Sequence, residues 1–478
     1  MMFPPRFWRY FALLWITLVG LLGMAIGLDN HRDLFESQPP ANKAIAANTS
    51  NTSSTVTAAG QSEKVLVEQG HQLLRLGNCM SCHTERGQAA GAGGRAFATP
   101  FGKVYSSNKT PDAQHGLGTW TANDFWRALH HGKSKDGRLL TPVFPYQHTT
   151  LITREDSDAM FEALKTWAPA ANDKPIDKPS ATLTWPYGTP VAIAVWRSLF
   201  FTPGAYESNP QKSPEWNRGA YLAQGLGHCA ACHSERNEWG AIQSVSDFSG
   251  GRMPEINWYA PSLTSLKETG LAEQTAQDIA RLLQSGRNDH ASTMGPMAEV
   301  VQHSTQHWRA DDLLAVATYL KDLAQQASPS TATNATNATN ATAATAATPA
   351  SKPANTRAAT GLSPSAKVLS QGAKIYDDHC AQCHQSQGQG VPSAYPALAH
   401  NRAVLLNDPT NLVQSVLYGG YPVTTAQNPR PFGMPPYILT LDDREIAAVL
   451  THLRTQWGNQ APEVTPLQVN RIRSLQGP

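Results

Sequence analysis

Three copies of one pentapeptide constrain this chain more than anything else in it. They are Cys79-Met80-Ser81-Cys82-His83, Cys229-Ala230-Ala231-Cys232-His233 and Cys380-Ala381-Gln382-Cys383-His384, and their first cysteines lie 150 and 151 residues apart. At the C-x-x-C-H spacing two thiols can add to the two vinyl groups of one porphyrin while the adjacent imidazole reaches the iron. All six cysteines of the chain fall inside the three copies. Disulfides within the pairs would leave the three histidines unexplained. A zinc site needs a fourth ligand and commonly two close C-x-x-C pairs. The reading is three covalently bound haem c groups. Cys79, Cys82, Cys229, Cys232, Cys380 and Cys383 form the thioethers, and His83, His233 and His384 are the proximal iron ligands.

A chain of 478 residues has room for three domains at the usual ~150 residues each. Its 41% hydrophobic content allows several small cores, while 15% charged residues and a net charge of +2 argue against a nucleic-acid or polyanion partner. Haem is attached to such motifs outside the bacterial cytoplasm, so the chain has to cross a membrane. Arg6 and Arg9 precede an apolar run from Phe11 to Leu28, which Asp29, Asn30, His31, Arg32 and Asp33 close. With Phe7, Trp8 and Tyr10 at the interface, residues 7–28 predict a transmembrane anchor. The run exceeds the ~7–15 residues of a signal-peptide core. Positive charge ahead of it puts the start inside and the haem domains in the periplasm. The expected location is therefore the bacterial cytoplasmic membrane. A cleaved signal is the competing reading, with Ala44-Ile45-Ala46 as a distant cleavage site.

The rest of the chain divides by composition. Residues 29–62 read as a flexible tether and 63–170 as a first haem domain. Residues 171–214 form a Pro-rich strap whose Trp185, Tyr187, Trp196, Leu199, Phe200 and Phe201 predict packing against the domains. Then follow a second domain (215–326), an Ala/Thr/Asn low-complexity linker (327–365), a third domain (366–460) and a C-terminal tail (461–478). Each domain repeats one helical order. A leader helix enters the motif (70–76, 219–224, 372–379), a middle helix follows (121–131, 275–285, 410–418), and a closing helix ends the unit. Thr153-x-x-Asp156 and Thr440-x-x-Asp443 read as caps of the first and third closing helices, and Asp311 and Asp312 favour the same start in the second. The predicted buried faces are Met160, Phe161, Leu164 and Trp167; Leu313, Val316, Ala317 and Leu320; and Ile446, Val449, Leu450 and Leu453.

A six-coordinate electron-transfer haem needs a second axial ligand, usually Met or His, and the loop before the closing helix is its place. Met297 in Gly295-Pro296-Met297 and Met434 in Gly433-Met434-Pro435 are the distal candidates for the second and third irons, with Met294 competing in the second. The first loop has Phe144 where methionine is expected, and a phenyl ring cannot bind iron. His148, four residues on, is the candidate distal ligand of the first haem, giving bis-His ligation with His83. The alternative is a first haem that is five-coordinate or ligated elsewhere. Without methionine that haem is the low-potential member. Together these features predict a mainly α protein: three tandem class I cytochrome c-like domains after an N-terminal transmembrane helix.

Further stretches carry a resemblance. They are Ala98-Thr99-Pro100-Phe101-Gly102, Ser107-Asn108-Lys109-Thr110-Pro111-Asp112, Gly116-Leu117-Gly118-Thr119-Trp120, Glu215-Trp216-Asn217-Arg218-Gly219-Ala220-Tyr221 and Gly295-Pro296-Met297-Ala298-Glu299-Val300-Val301. With them the chain resembles, along nearly its whole length, the triheme cytochrome c subunits of membrane-bound bacterial dehydrogenases. The resemblance implies an electron-transfer subunit that is no enzyme by itself. It would take electrons from a catalytic dehydrogenase subunit and pass them to ubiquinone or a terminal oxidase. Partners in that family include quinoprotein alcohol dehydrogenases, flavin gluconate or sugar dehydrogenases, and molybdopterin hydroxylases with a small iron–sulfur subunit. Phe144-Pro145-Tyr146 followed by His148 resembles the cytochromes paired with molybdopterin enzymes, which favours an aldehyde-dehydrogenase-type partner. A peroxidase with an open site at the first haem and a stand-alone electron carrier are the readings from other classes.

Overall fold

The computed structural model describes residues 20–31, 57–171, 181–328 and 364–475, apart from 22, 254, 393 and 427. The chain divides into two compact units, Met1–Ile256 with Val300–Tyr319, and Asn257–Glu299 with Leu320–Pro478.

In the first unit, α1 (Thr57–Leu76) runs into α2 (Cys79–His83). A hairpin of β1 (Ala96–Thr99) and β2 (Gly102–Tyr105) follows, then α3 (Ala122–His131), α4 (Tyr146–Thr149) and α5 (Arg154–Lys165). Strand β3 (Ala181–Leu183) adds to β2 in antiparallel register. Helix α6 (Pro190–Phe200) precedes α7 (Pro214–Tyr221), which continues as a π-helical turn over Leu222–Leu226 before α8 (Ala230–His233). Local chemistry fixes the ends. Thr121 and Asp124 close a capping box on α3, and Gly132 stops that helix in the left-handed region. Thr153 caps α5 by accepting from the Asp156 amide, and Met160, Phe161 and Leu164 are buried along its inner face. Helices α9 (Ala276–Ser285), α10 (Gly295–His303) and α11 (Ala310–Gln326) come next, the last two containing residues of both units.

The second unit adds α12 (Ala366–His379), α13 (Ala381–His384), α14 (Arg402–Leu405), α15 (Thr410–Tyr418), α16 (Asp443–Thr455) and α17 (Pro466–Ser474). Its core joins Tyr376 of α12, Val413 and Leu417 of α15, Ile446 and Leu450 of α16 and Val469 of α17. Arg454 is the largest charged side chain in it, 1% exposed. Its guanidinium donates to the carbonyls of Val404, Leu406 and Pro462, each at 2.7 Å. Burial lowers its pKa to about 10, and the three carbonyls are what make a buried cation tolerable.

One contact recurs three times. Gly70 in α1, Gly219 in α7 and Gly372 in α12 each face the backbone of a closing helix, and a Cβ on any of them would overlap the carbonyl of Ala159, Ala315 or Ala448 respectively. The leader helix therefore crosses its closing helix backbone to backbone. The sequence reading starts the leader helices at these glycines. In fact all three lie inside their helices, because close crossing outweighs the poor helical propensity of glycine.

Other expectations need correction. Among the described residues no helix is long and apolar enough to cross a membrane. That overturns the expected N-terminal transmembrane helix over 7–28 and the membrane anchoring drawn from it. Of that run only residues 20–28, apart from 22, are described, and there Leu21, Met24 and Leu28 are exposed. At the end of that helical stretch Asn30 donates to the Ala194 carbonyl of α6 at 3.1 Å. The fold class expected three tandem domains, whereas two compact units form. A repeated helical order does not say which core each helix enters. Most of the tether and of the low-complexity linker lie outside the described residues. In the strap, Trp196 and Phe201 are buried but Trp185, Tyr187 and Leu199 are exposed. The cap of α16 is Asp442, boxed with Glu445, two residues after the predicted Thr440.

Replacing Arg454 by Met leaves the buried carbonyls of Val404 and Leu406 without their donor and is expected to cost about 3 kcal/mol. Replacing Gly372 by Val forces α12 off α16 and is expected to cost at least as much. Thermal unfolding of the two variants checks both.

Candidate haem sites

The third motif is the most completely framed. Helix α12 delivers Cys380, and α13 carries Cys383 and His384. His384 Nδ1 lies 2.9 Å from the Pro396 carbonyl oxygen. A carbonyl only accepts, so Nδ1 carries the proton and Nε2 keeps its lone pair. Desolvation lowers the imidazole's pKa, which keeps the ligand form neutral. Opposite in sequence, Met434 is held by a two-way bridge: its N–H donates to Gly420 at 2.7 Å and its carbonyl accepts from Gly420 at 3.0 Å. Gly419 has φ 63° and ψ −151°, a combination nearly confined to glycine, and a side chain there would strike the Met434 carbonyl. Tyr437 donates to the His379 carbonyl at 2.8 Å, tying the methionine loop to the residue before Cys380.

The first motif repeats the proximal half. His83 Nδ1 is 2.7 Å from the Ser107 carbonyl. Desolvation, with the nearby Lys109 charge, lowers its pKa to about 3, so this imidazole too is neutral. The Ser107 segment is itself fixed, since Asn108 Oδ1 accepts from the Thr110 amide at 2.8 Å and the Asn108 amide donates to Ala170 at 2.7 Å. Arg95 donates to the Ser81 carbonyl inside the motif. Phe144, in the methionine position, packs with Tyr146, Trp196 and Phe201. His148 is 2% exposed; its Nδ1 faces the Gln224 carbonyl at 2.7 Å and its Nε2 is buried without a partner. Burial, with the His228 charge next, lowers its pKa to about 3. His148 thus faces Gln224 and His228, on the approach to the second motif, and also feels the Arg236 charge.

In the second motif, Cys229 precedes α8, and Cys232 and His233 lie on it. Met297 is the third residue of α10, in a helix and not in the loop expected for it. Its competitor Met294 is engaged elsewhere, its sulfur accepting from the Ser415 hydroxyl at 2.8 Å.

The residues fit a covalently held haem. All six cysteines are free of disulfides. Burial, with the neighbouring thiol next, pushes both Cys79 and Cys229 up to about 12, the mark of apolar surroundings. His83 and His384 each turn Nδ1 to a backbone carbonyl, which leaves Nε2 as the nitrogen with the lone pair. Sequence reasoning missed the Ser107 and Pro396 carbonyls that orient these rings. The stretch from Ser107 to Asp112 stood out as a marker of resemblance, but its role shows only in the fold.

Comparison with known proteins agrees. The chain is 34% identical to the cytochrome c subunit of alcohol dehydrogenase (quinone) from Gluconobacter oxydans, over 88% of this chain and 84% of that one. This chain belongs to the family of dehydrogenase cytochrome c subunits. It is 33% identical to the gluconate 2-dehydrogenase cytochrome c subunit of Pantoea cypripedii, over 87% of this chain and 91% of that one. It is 30% identical to the fructose dehydrogenase cytochrome subunit of Gluconobacter japonicus, over 85% and 82%. The family model for cytochrome c matches residues 369–457, one stretch where the sequence reading expects three tandem domains. The chain is thus an electron-transfer subunit of a dehydrogenase complex and carries covalent haem c. The names of its relatives favour the alcohol, gluconate and sugar dehydrogenase readings over the aldehyde-type one.

Replacing Gly419 by Ala is expected to displace the Met434 segment and cost about 2 kcal/mol. Thermal unfolding of the haem-loaded protein measures it; an unchanged midpoint counts against the strained turn.

Proposed function

We propose that the chain carries three haem c groups, one on each motif, and relays electrons from the catalytic subunit of an alcohol- or sugar-oxidising dehydrogenase to a quinone or terminal-oxidase acceptor. The observation that carries this is similarity to such a subunit over 88% of this chain together with three C-x-x-C-H motifs. The haem supplies a one-electron couple. The chain's residues anchor it, orient its ligands and set its potential. In each motif the two cysteines hold the group by thioethers, and the histidine that follows (His83, His233 or His384) serves as proximal ligand. Pro396 and Ser107 carbonyls keep two of these imidazoles in the ligating tautomer and raise their donor strength.

Met297 and Met434 serve as distal ligands of the second and third irons. Support for Met434 comes from its rigid bridge to Gly420, and support for Met297 from the engagement of Met294 with Ser415. His148 serves the first haem, with support from its buried Nε2 and from a carbonyl-held Nδ1 like that of His83 and His384.

The test is a haem count on the purified 51.7 kDa chain. Three per chain are expected, and two after paired Cys229→Ala and Cys232→Ala replacement. Co-expression with alcohol or gluconate dehydrogenase catalytic subunits should give a complex whose haems are reduced on adding that substrate; reduction by aldehydes alone would return the aldehyde-type reading. Replacing Met434 by His is expected to lower one midpoint potential by at least about 59 mV, tenfold in the one-electron constant. Spectropotentiometry reads this, and three unmoved midpoints would exclude Met434 as a ligand.

A further inference from the structure

Two buried histidines meet between the first and second motifs. His228 directly precedes Cys229, and its backbone is left-handed at φ 37°, a conformation few residues other than glycine adopt. Its ring faces the backbone of Gly77, two residues before Cys79. His148 stands edge-on to that ring, with centroids 6.3 Å apart at 64°. The other side of His148 is held by the Gln224 carbonyl, in the π-helical turn that leads to Cys229. Both approaches to the motifs are therefore joined through two imidazoles.

The surroundings make this joint stiff. A Cβ built on Gly77 would lie 3.6 Å from the Leu226 side chain. Ser304 donates to the Arg75 carbonyl at 2.8 Å and accepts from the Trp308 indole at 2.9 Å. The end of α1 is thus tied to the segment before α11 as well as to His228. All of these residues belong to the first unit.

We propose that His148 and His228 form a bridge coupling the first two haem sites into one redox pair, with His228 as a positioning residue for both. This rests on haem attachment at both motifs, as proposed above. The physical basis is that the His148 ring is held by the Gln224 carbonyl on the second motif's approach and stands edge-on to the His228 ring, which faces the end of the first motif's leader helix. A change of charge or ligand geometry at one site reaches the other through imidazoles already fixed by carbonyls. Coupling of this kind is a free energy shared by the two sites and is reciprocal.

The experiment is a double-mutant cycle on midpoint potentials, using the full haem-loaded chain with His148→Gln, His228→Leu and both together. The shifts in the first two haems are expected to be non-additive by at least tenfold in equilibrium constant, about 59 mV for one electron. The third haem should keep its potential throughout. His228→Gln, which keeps a donor for Gly77 but lacks the ring, replaces His228→Leu if that variant loses haem. Fewer than three haems in the unmodified chain would refute the reading beneath the bridge, and the bridge with it. Three haems with additive shifts would refute the bridge alone.

Discussion

The rest of the structure depends on how closely its leader helices approach its closing helices. At Gly70, Gly219 and Gly372 the two backbones touch, with the carbonyls of Ala159, Ala315 and Ala448 where a side chain would be. Each leader helix delivers its C-x-x-C-H only because it is pinned there, eight to ten residues upstream of the first cysteine. A methylene inserted at the crossing is felt at the thioether, because close-packed interiors transmit displacement.

The histidines of the first and third motifs inherit their tautomer from this frame. A ring nitrogen left to itself can bear the proton on either side. Here Ser107 and Pro396 carbonyls settle the matter for His83 and His384, and burial keeps both rings neutral. The distal sides are less alike. Met434 stands on a strained glycine turn, Met297 on a helix, and Phe144 has withdrawn into an aromatic cluster with Trp196 and Phe201. The three motifs share one spacing and differ in the segments proposed to face them.

The difference is concentrated at the first site. There the position that resembles a methionine ligand is filled by Phe144, and the nearest buried imidazole, His148, leans on the second motif through Gln224 and His228. A subunit that relays electrons gains from linking neighbouring centres in this way. Under the proposed bridge, reduction of one centre depends on the state of the other.

Much of this was legible in the residues alone. Six cysteines in three C-x-x-C-H motifs determine the mode of attachment, because covalent chemistry is local to five positions. The capping residue Thr153 and the apolar faces of α5, α11 and α16 fix the closing helices for the same local reason. Tertiary structure decided what depends on distant partners: the glycines as crossing points and not helix starts, the carbonyls that choose each tautomer, and the division into two units. It also decided the direction of His148. None of these is encoded within a few residues, since each depends on which backbone another part of the chain brings within hydrogen-bond reach.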